Sequence, residues 1–230
     1  MGLPHPDETG SAARLDPARF IADHTRIGSA PLTPDLRFHL ADDAYDVWEQ
    51  SEEALGEAGL APPFWAFAWG GGQALARYVM DHPQSVAGKS VLDFACGCGI
   101  AGIAAAKAGA HEVLTSEIDP FAVEAARRNA ALNGVSLSAV HADLVGEDRG
   151  WDVVLAGDVF YEAGAGACIA DWLETLAKRG AAVLIGDPGR HFLPRARLEA
   201  IARFDTPASR ALEDRDVALA RVWRFRAAGT

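Results

Sequence analysis

Between residues 89 and 187 five short apolar runs, KSVLDFA, HEVLTSEID, SLSAVHAD, WDVVLAGD and AAVLIGD, alternate with helical segments. Runs of this length read as buried strands, and strands joined through helices need crossover connections, which give a parallel sheet covered on both faces. The helices carry their own punctuation. Ile100–Ala108 is rich in small residues, and the stretch from Pro120 starts with Asp119 as N-cap and Pro120 at N1 and stops at Gly134. A further helix is expected at Ala165–Lys178 and a last one at Arg195–Phe204. Two strands near Ala208–Leu212 and Val217–Arg226 follow, with only EDRD between them. That is too short for a parallel crossover, so the pair must be an antiparallel hairpin at one sheet edge.

The segment ahead of this core reads differently. Residues 1–15 show no pattern and are expected to be a disordered tail. Residues 16–82 are expected to form an N-terminal helical extension, with a short helix starting at Asp16 and Pro17, another at Asp46–Ala58 and a third at Gln73–Met80. Residues 16–230 thus read as a single domain, with its Rossmann-like core at 83–230.

The first strand runs into VLDFACGCGIAG, where Gly97, Gly99 and Gly102 make the spacing G-x-G-x-x-G, and Glu117 lies about 20 residues on. Alone, this pattern also suits a dinucleotide-binding dehydrogenase. Asp93 separates the two readings. A carboxylate four residues before Gly97 would repel a pyrophosphate but suits a cationic amino-acid group, such as that of S-adenosylmethionine. Asp93, Gly97, Gly99 and Glu117 match the D-x-x-x-G-x-G pattern of S-adenosylmethionine-dependent methyltransferases. On that reading the glycines let backbone approach the ligand, and Glu117 accepts from the ribose hydroxyls. Ile118 lies against adenine, Asp143 accepts from its amino group, and Leu144 walls the ring. Asp143 reads equally well as a turn aspartate. The acids Asp93, Glu117, Asp143 and Asp158 close four successive strands, at the sheet edge where ligands bind in such folds.

The acidic balance, 32 Asp and Glu against 21 Lys and Arg for a net charge of −11, disfavours nucleic acid. Arg190, Arg195, Arg197 and Arg203 read as a solvated helix face. The three cysteines, Cys96, Cys98 and Cys168, have no zinc-type or disulfide spacing, so no metal is expected. With no signal peptide and no apolar run of membrane-span length, the chain reads as cytoplasmic and independent of membranes.

After the fourth strand comes Asp158-Val159-Phe160-Tyr161, a D-x-x-Y motif without the prolines of exocyclic-amine methyltransferases. With PFWAFAWGGGQALARYVMDHP, EIDPFAV and VLIGDPGR, it resembles the seven-strand (class I) protein lysine methyltransferases, in the branch that acts on the electron transfer flavoprotein β subunit. The resemblance spans Ile21 to Phe225. It implies a mostly parallel seven-stranded sheet with an antiparallel terminal hairpin, S-adenosylmethionine as cofactor and that flavoprotein subunit as protein partner. It further implies that Trp69 packs on the cofactor, that Ala95, Cys96, Gly97 and Gly99 with Glu117 hold it, and that Gly157 borders the transfer channel. Asp158 and Tyr161 then face the lysine, and Trp65 either lines the channel or staples the core. Phe94-Ala95-Cys96 departs from the family's commoner Leu-Gly-Ser loop, and Gly70 stands where proline is frequent. Methylation of another protein such as a ribosomal protein, methylation of a small amine, and a non-catalytic nucleotide-binding role are the alternatives.

Overall fold

The computed structural model describes residues 16–41, 62–207 and 217–226. The tail at 1–15, the expected helix at Asp46–Ala58 and the expected strand at Ala208–Leu212 lie outside these.

The elements in chain order are α1 (Pro17–His24), β1 (Arg26–Ala30), β2 (Thr33–Leu40), α2 (Gly70–Asp81), β3 (Ser90–Phe94), α3 (Ile100–Lys107), β4 (Glu112–Glu117) and α4 (Pro120–Leu132). They continue with β5 (Ser138–His141), β6 (Val153–Gly157), α5 (Ala163–Arg179), β7 (Ala182–Asp187), β8 (Leu198–Pro207) and β9 (Val217–Phe225). Seven strands form one sheet in the order β5-β4-β3-β6-β7-β9-β8. β3 to β7 are parallel, while β9 runs antiparallel to both β7 and β8. The chain steps leftward from β3 to β5, then returns to place β6 on the other side of β3, so the switch point lies between β3 and β6. Ligands of open α/β sheets sit outside the carboxyl ends of the strands at such a point.

Alternation along the strands builds two cores. Leu92, Phe94, Val154, Ala156, Val183 and Ile185 point to the face packed by α5 through Trp172, Leu173 and Leu176. Val91, Val153, Leu155 and Leu184 point to the face packed by α2 and α3 through Ala74, Leu75, Val79, Ala101 and Ala105. Period-two geometry alone therefore sends Asp93, between Leu92 and Phe94, toward α3. The expected caps are present: Asp119 accepts from the Phe121 amide at 2.8 Å, and Gly134 ends α4 at φ +63°.

Two expectations are corrected. Residues 195–204 are not a helix: a single 3₁₀ turn at Arg195–Arg197 leads into β8, the true hairpin partner of β9. Leu198, Ile201 and Phe204 recur every third residue, as on a helix, because a bulge shifts the register between Ala200 and Ala202. The bulge switches the inward face, so Leu198 joins one core while Ala202 and Phe204 join the other. Nor is the 16–82 segment wholly helical, since β1 and β2 form an antiparallel hairpin. Its β2 edge is sealed by side-chain amides of α4. The Asn129 Oδ1 accepts from the His39 amide at 2.7 Å, and Asn133 both accepts from and donates to the Arg37 backbone, at 3.0 and 2.6 Å. A buried strand edge needs such partners. Asn129 also donates to the Cys98 carbonyl at 2.9 Å, tying the hairpin to the glycine loop.

Candidate active site

A small cleft opens at the switch point, lined by Phe67, Trp69, Gly72, Asp93, the loop Ala95 to Cys98, Ile100, Ala101, Gly157 and Asp158. Its floor is the glycine loop. Gly97 and Gly99 hold φ of +52° and +79°, and Ala95 holds +51° despite its side chain. A left-handed alanine costs on the order of 1–2 kcal/mol, strain the surrounding fold must hold in place. A Cβ on Gly97 would meet nothing within 4 Å, so this backbone faces open space. Gly102 is different: a Cβ there would lie 2.9 Å from the Asp93 carboxylate and 3.0 Å from Thr115. Its glycine lets α3 sit directly on Asp93.

Asp93 is only 2% exposed and accepts from the Gly102 amide at 2.8 Å. Burial pushes its pKa up to about 8, against the lowering effect of that hydrogen bond, with Glu117 adding to the rise. Glu117 accepts from the Gly97 amide at 3.1 Å and from the Ile118 amide at 2.8 Å, and burial raises its pKa too. Among the described residues neither acid has a basic side chain within ion-pair distance. Ile118 presents an apolar surface beside them, 67% exposed.

The opposite wall is built where the start of α2 meets the ends of β6 and β7. A Cβ on Gly71 would stand 2.2 Å from the Gly186 carbonyl oxygen, and one on Gly186 would stand 2.0 Å from that of Gly71. Only glycine at both positions permits this backbone contact. Asp158 follows β6 with φ +58° and has one oxygen on the Gly72 amide, at 3.0 Å, and the other on Arg190 Nη2, at 3.0 Å. It thus serves the positive N-terminus of α2 and a guanidinium together. Burial still raises its pKa, outweighing Arg190. Arg190 comes from a turn fixed by Asp187, which accepts from the Gly189 and Arg190 amides at 2.6 and 2.7 Å. Burial lifts the Asp187 pKa to about 6. The guanidinium also stands 5.7 Å from the centre of the Trp69 ring.

Trp69 donates to the Phe64 carbonyl at 2.8 Å, and Phe64 in turn neighbours Tyr161, with ring centres 6.3 Å apart. Tyr161, 58% exposed, stands on the rim, its pKa raised first by partial burial and then by Glu162 and Glu117.

Of the expected site residues, the cleft brings together Trp69, Asp93, Ala95, Cys96, Gly97, Gly157 and Asp158. Gly99 stands beneath the loop as the cap of α3. Leu144 is fully buried in the α5-side core, and Asp143 folds onto its own turn, accepting from the Val145 amide at 3.0 Å. Of its two expected places Trp65 takes the core: it is 1% exposed and stacks on Phe121. Arg190 is corrected as well, from a solvated helix face to the partner of Asp158. Sequence reasoning missed it and Asp187, although both stand in the GDPGR signature. Among the described residues no cluster of His, Cys, Asp and Glu could hold a metal ion, and no helix is long and apolar enough to cross a membrane.

The sheet order, the antiparallel last pair and the acids ending β3 and β4 define a class I methyltransferase. Solved structures agree on the fold. An RNA methyltransferase candidate from Pyrococcus horikoshii aligns with a TM-score of 0.50 at 18% identity, over 67% of this chain and 81% of that one. Precorrin 8W decarboxylase from Methanobacterium thermoautotrophicum aligns at 0.51 and 14%, over 66% and 89%. The family model for ribosomal protein L11 methyltransferase (PrmA) matches residues 73–160, the stretch that builds most of the cleft. Electron transfer flavoprotein beta subunit lysine methyltransferase of Xenopus laevis is 41% identical, over 91% of this chain and 87% of that protein. The proteins of that name from Danio rerio and Homo sapiens are 38% and 34% identical, over 91% and 94% of this chain. The chain belongs to this family, the electron transfer flavoprotein β-subunit lysine methyltransferases.

Proposed function

We propose that the protein transfers methyl groups from S-adenosylmethionine to lysine side chains of the electron transfer flavoprotein β subunit. The observation that carries the cofactor assignment is Asp93: a buried carboxylate, unpaired with any described basic side chain, facing a cleft floored by open glycine backbone. Such a group gains its charge against an ammonium ion, whereas a pyrophosphate would find no cation there to answer its own charge. Glu117 fits ribose, because each carboxylate oxygen bound to one amide retains a lone pair for a hydroxyl. Ile118 offers adenine an apolar surface, and Trp69 and Gly157 flank the transfer channel. The cofactor supplies an electrophilic methyl on a sulfonium.

What remains is the protein's task. A lysine of pKa near 10.4 must lose its proton, which at neutral pH costs roughly 4–5 kcal/mol. The aromatic rim of Phe64, Trp69 and Tyr161 strips water from the side chain, which favours the neutral amine. Asp158 orients the nitrogen, and the proton leaves to water before attack.

The substrate assignment rests on family membership. The L11-type match covers residues 73–160 and no more, and so supports methyl transfer without favouring a ribosomal substrate. Cys96, Cys98 and Cys168 are free thiols, which fits the cytoplasmic reading. Purified protein incubated with the β subunit and S-adenosylmethionine should add 14 Da increments, about one methylene each, at lysine, read by peptide mass spectrometry. A β subunit whose lysine peptides gain no mass would overturn the substrate assignment.

A further inference from the structure

The methyl-transfer reading leaves one difficulty. Asp158 is the group best placed to orient the lysine, yet a bare carboxylate beside an amine stabilises the ammonium form, which cannot attack. The surroundings add to the problem. Around the seat stand Asp158 at the end of β6, Asp187 at the end of β7, Asp93 and Glu117 across the cleft, and Tyr161 with Glu162 on the open side. All are acidic or phenolic. Against them stand the N-terminus of α2 and Arg190, whose Nη2 donates to Asp158 Oδ1 at 3.0 Å while its guanidinium faces the Trp69 ring.

We propose that Arg190 is a positioning residue that cancels the charge of Asp158, so that the seat orients the lysine nitrogen without holding its proton. The inference rests on the lysine-methylation reading. The geometry suits the task in three ways. The pair leaves Asp158 no net charge to offer, yet its oxygens keep lone pairs for an amine N–H. Asp187 locks the turn that presents Arg190, through two backbone amides. Trp69, which lines the cleft, backs the guanidinium, so cation and cofactor wall are fixed together. A merely structural ion pair would sustain the fold without setting the protonation of a bound amine.

The test is the pH dependence of kcat for the full chain on the β subunit with saturating S-adenosylmethionine. The ascending alkaline limb reports deprotonation of the bound lysine. In Arg190→Met the limb should move up by roughly one pH unit, whereas Arg190→Lys should hold it near the wild-type position. Asp158→Asn, which leaves the cation uncompensated, should move it down, and Arg190→Met with Asp158→Asn should bring it back, at a lower plateau. If these variants change only the plateau, or if Arg190→Met and Asp158→Asn move the limb in the same direction, the inference is overturned. The pair Arg190→Lys and Asp158→Asn carries the test if Arg190→Met does not fold. A second measurement needs no turnover. Binding of n-butylammonium to protein saturated with S-adenosylhomocysteine should tighten roughly tenfold in Arg190→Met, and unchanged binding overturns the inference. Failure of the wild type to methylate the β subunit would instead overturn the substrate reading, while the butylammonium result would still judge Arg190.

Discussion

Two pairs of acids close neighbouring strands of one sheet, and they are equipped in opposite ways. Asp93 and Glu117, at the ends of β3 and β4, receive backbone amides only, with no described basic side chain in ion-pair reach. Asp158 and Asp187, at the ends of β6 and β7, share Arg190, the first through its side chain and the second through its backbone. Burial raises all four pKa values. A buried acid without a counter-ion is costly until a cation arrives, so the β3–β4 side is built to be completed by a charged ligand. The β6–β7 side brings its own cation, and so suits a reactant that must be neutral when it reacts.

Forcing open the wall on the β6–β7 side is expected to have the largest effect. Gly186→Ala puts a methyl 2.0 Å from the Gly71 oxygen, a clash with backbone that no rotamer relieves. Chemical denaturation should show a loss of more than about 3 kcal/mol, or no folded protein at all. A wild-type stability would mean that α2 and β7 can part without cost. Next in size is Asp158→Asn, which is expected to lower kcat/KM on the protein substrate by about 10²-fold, with S-adenosylhomocysteine affinity nearly unchanged. A parallel fall in cofactor affinity would erase the distinction between the sides.

Asp93→Asn sharpens the comparison from the other side. A group whose pKa rises from 3.8 to about 8 on folding stabilises the fold below the lower value, and that contribution is lost as pH rises through the higher one. The ligand-free variant at pH near 8 should therefore melt no lower than wild type. Its affinity for S-adenosylhomocysteine, followed by calorimetry, should nonetheless fall by roughly ten- to a hundredfold, for want of the charged partner. Wild-type binding should in turn tighten as pH rises toward about 8, with proton release. Smallest is Tyr161→Phe. Loss of one rim hydroxyl should cost about two- to tenfold in kcat/KM, whereas Tyr161→Ala, which removes the ring, should cost more.

The β3–β4 side was legible in the sequence because its chemistry is local. Asp93, the glycines and Glu117 stand within one strand–turn–helix–strand unit, where spacing fixes geometry. The β6–β7 side was not. Its central contact joins Asp158 to Arg190 and Gly72, residues far apart in the chain that only the sheet order brings together. Asp158 could be singled out from D-x-x-Y, but its guanidinium partner could not. Two fold errors have the same origin in local pattern. The bulge in β8 imitates a helical period, and the β1–β2 hairpin has buried positions at Thr33, Leu36 and Phe38, too irregular to announce a strand. Its edge depends on Asn129 and Asn133, which read as ordinary polar positions of α4.

The close meeting of Gly71 and Gly186 ties distant parts of the chain together. This one wall of the cleft joins an early part of the chain to a late one, and each glycine leaves no room for the other to be replaced. A chain cut before β7 keeps the whole glycine loop and much of the surface under α2, but lacks the glycine that lets the start of α2 close against the sheet.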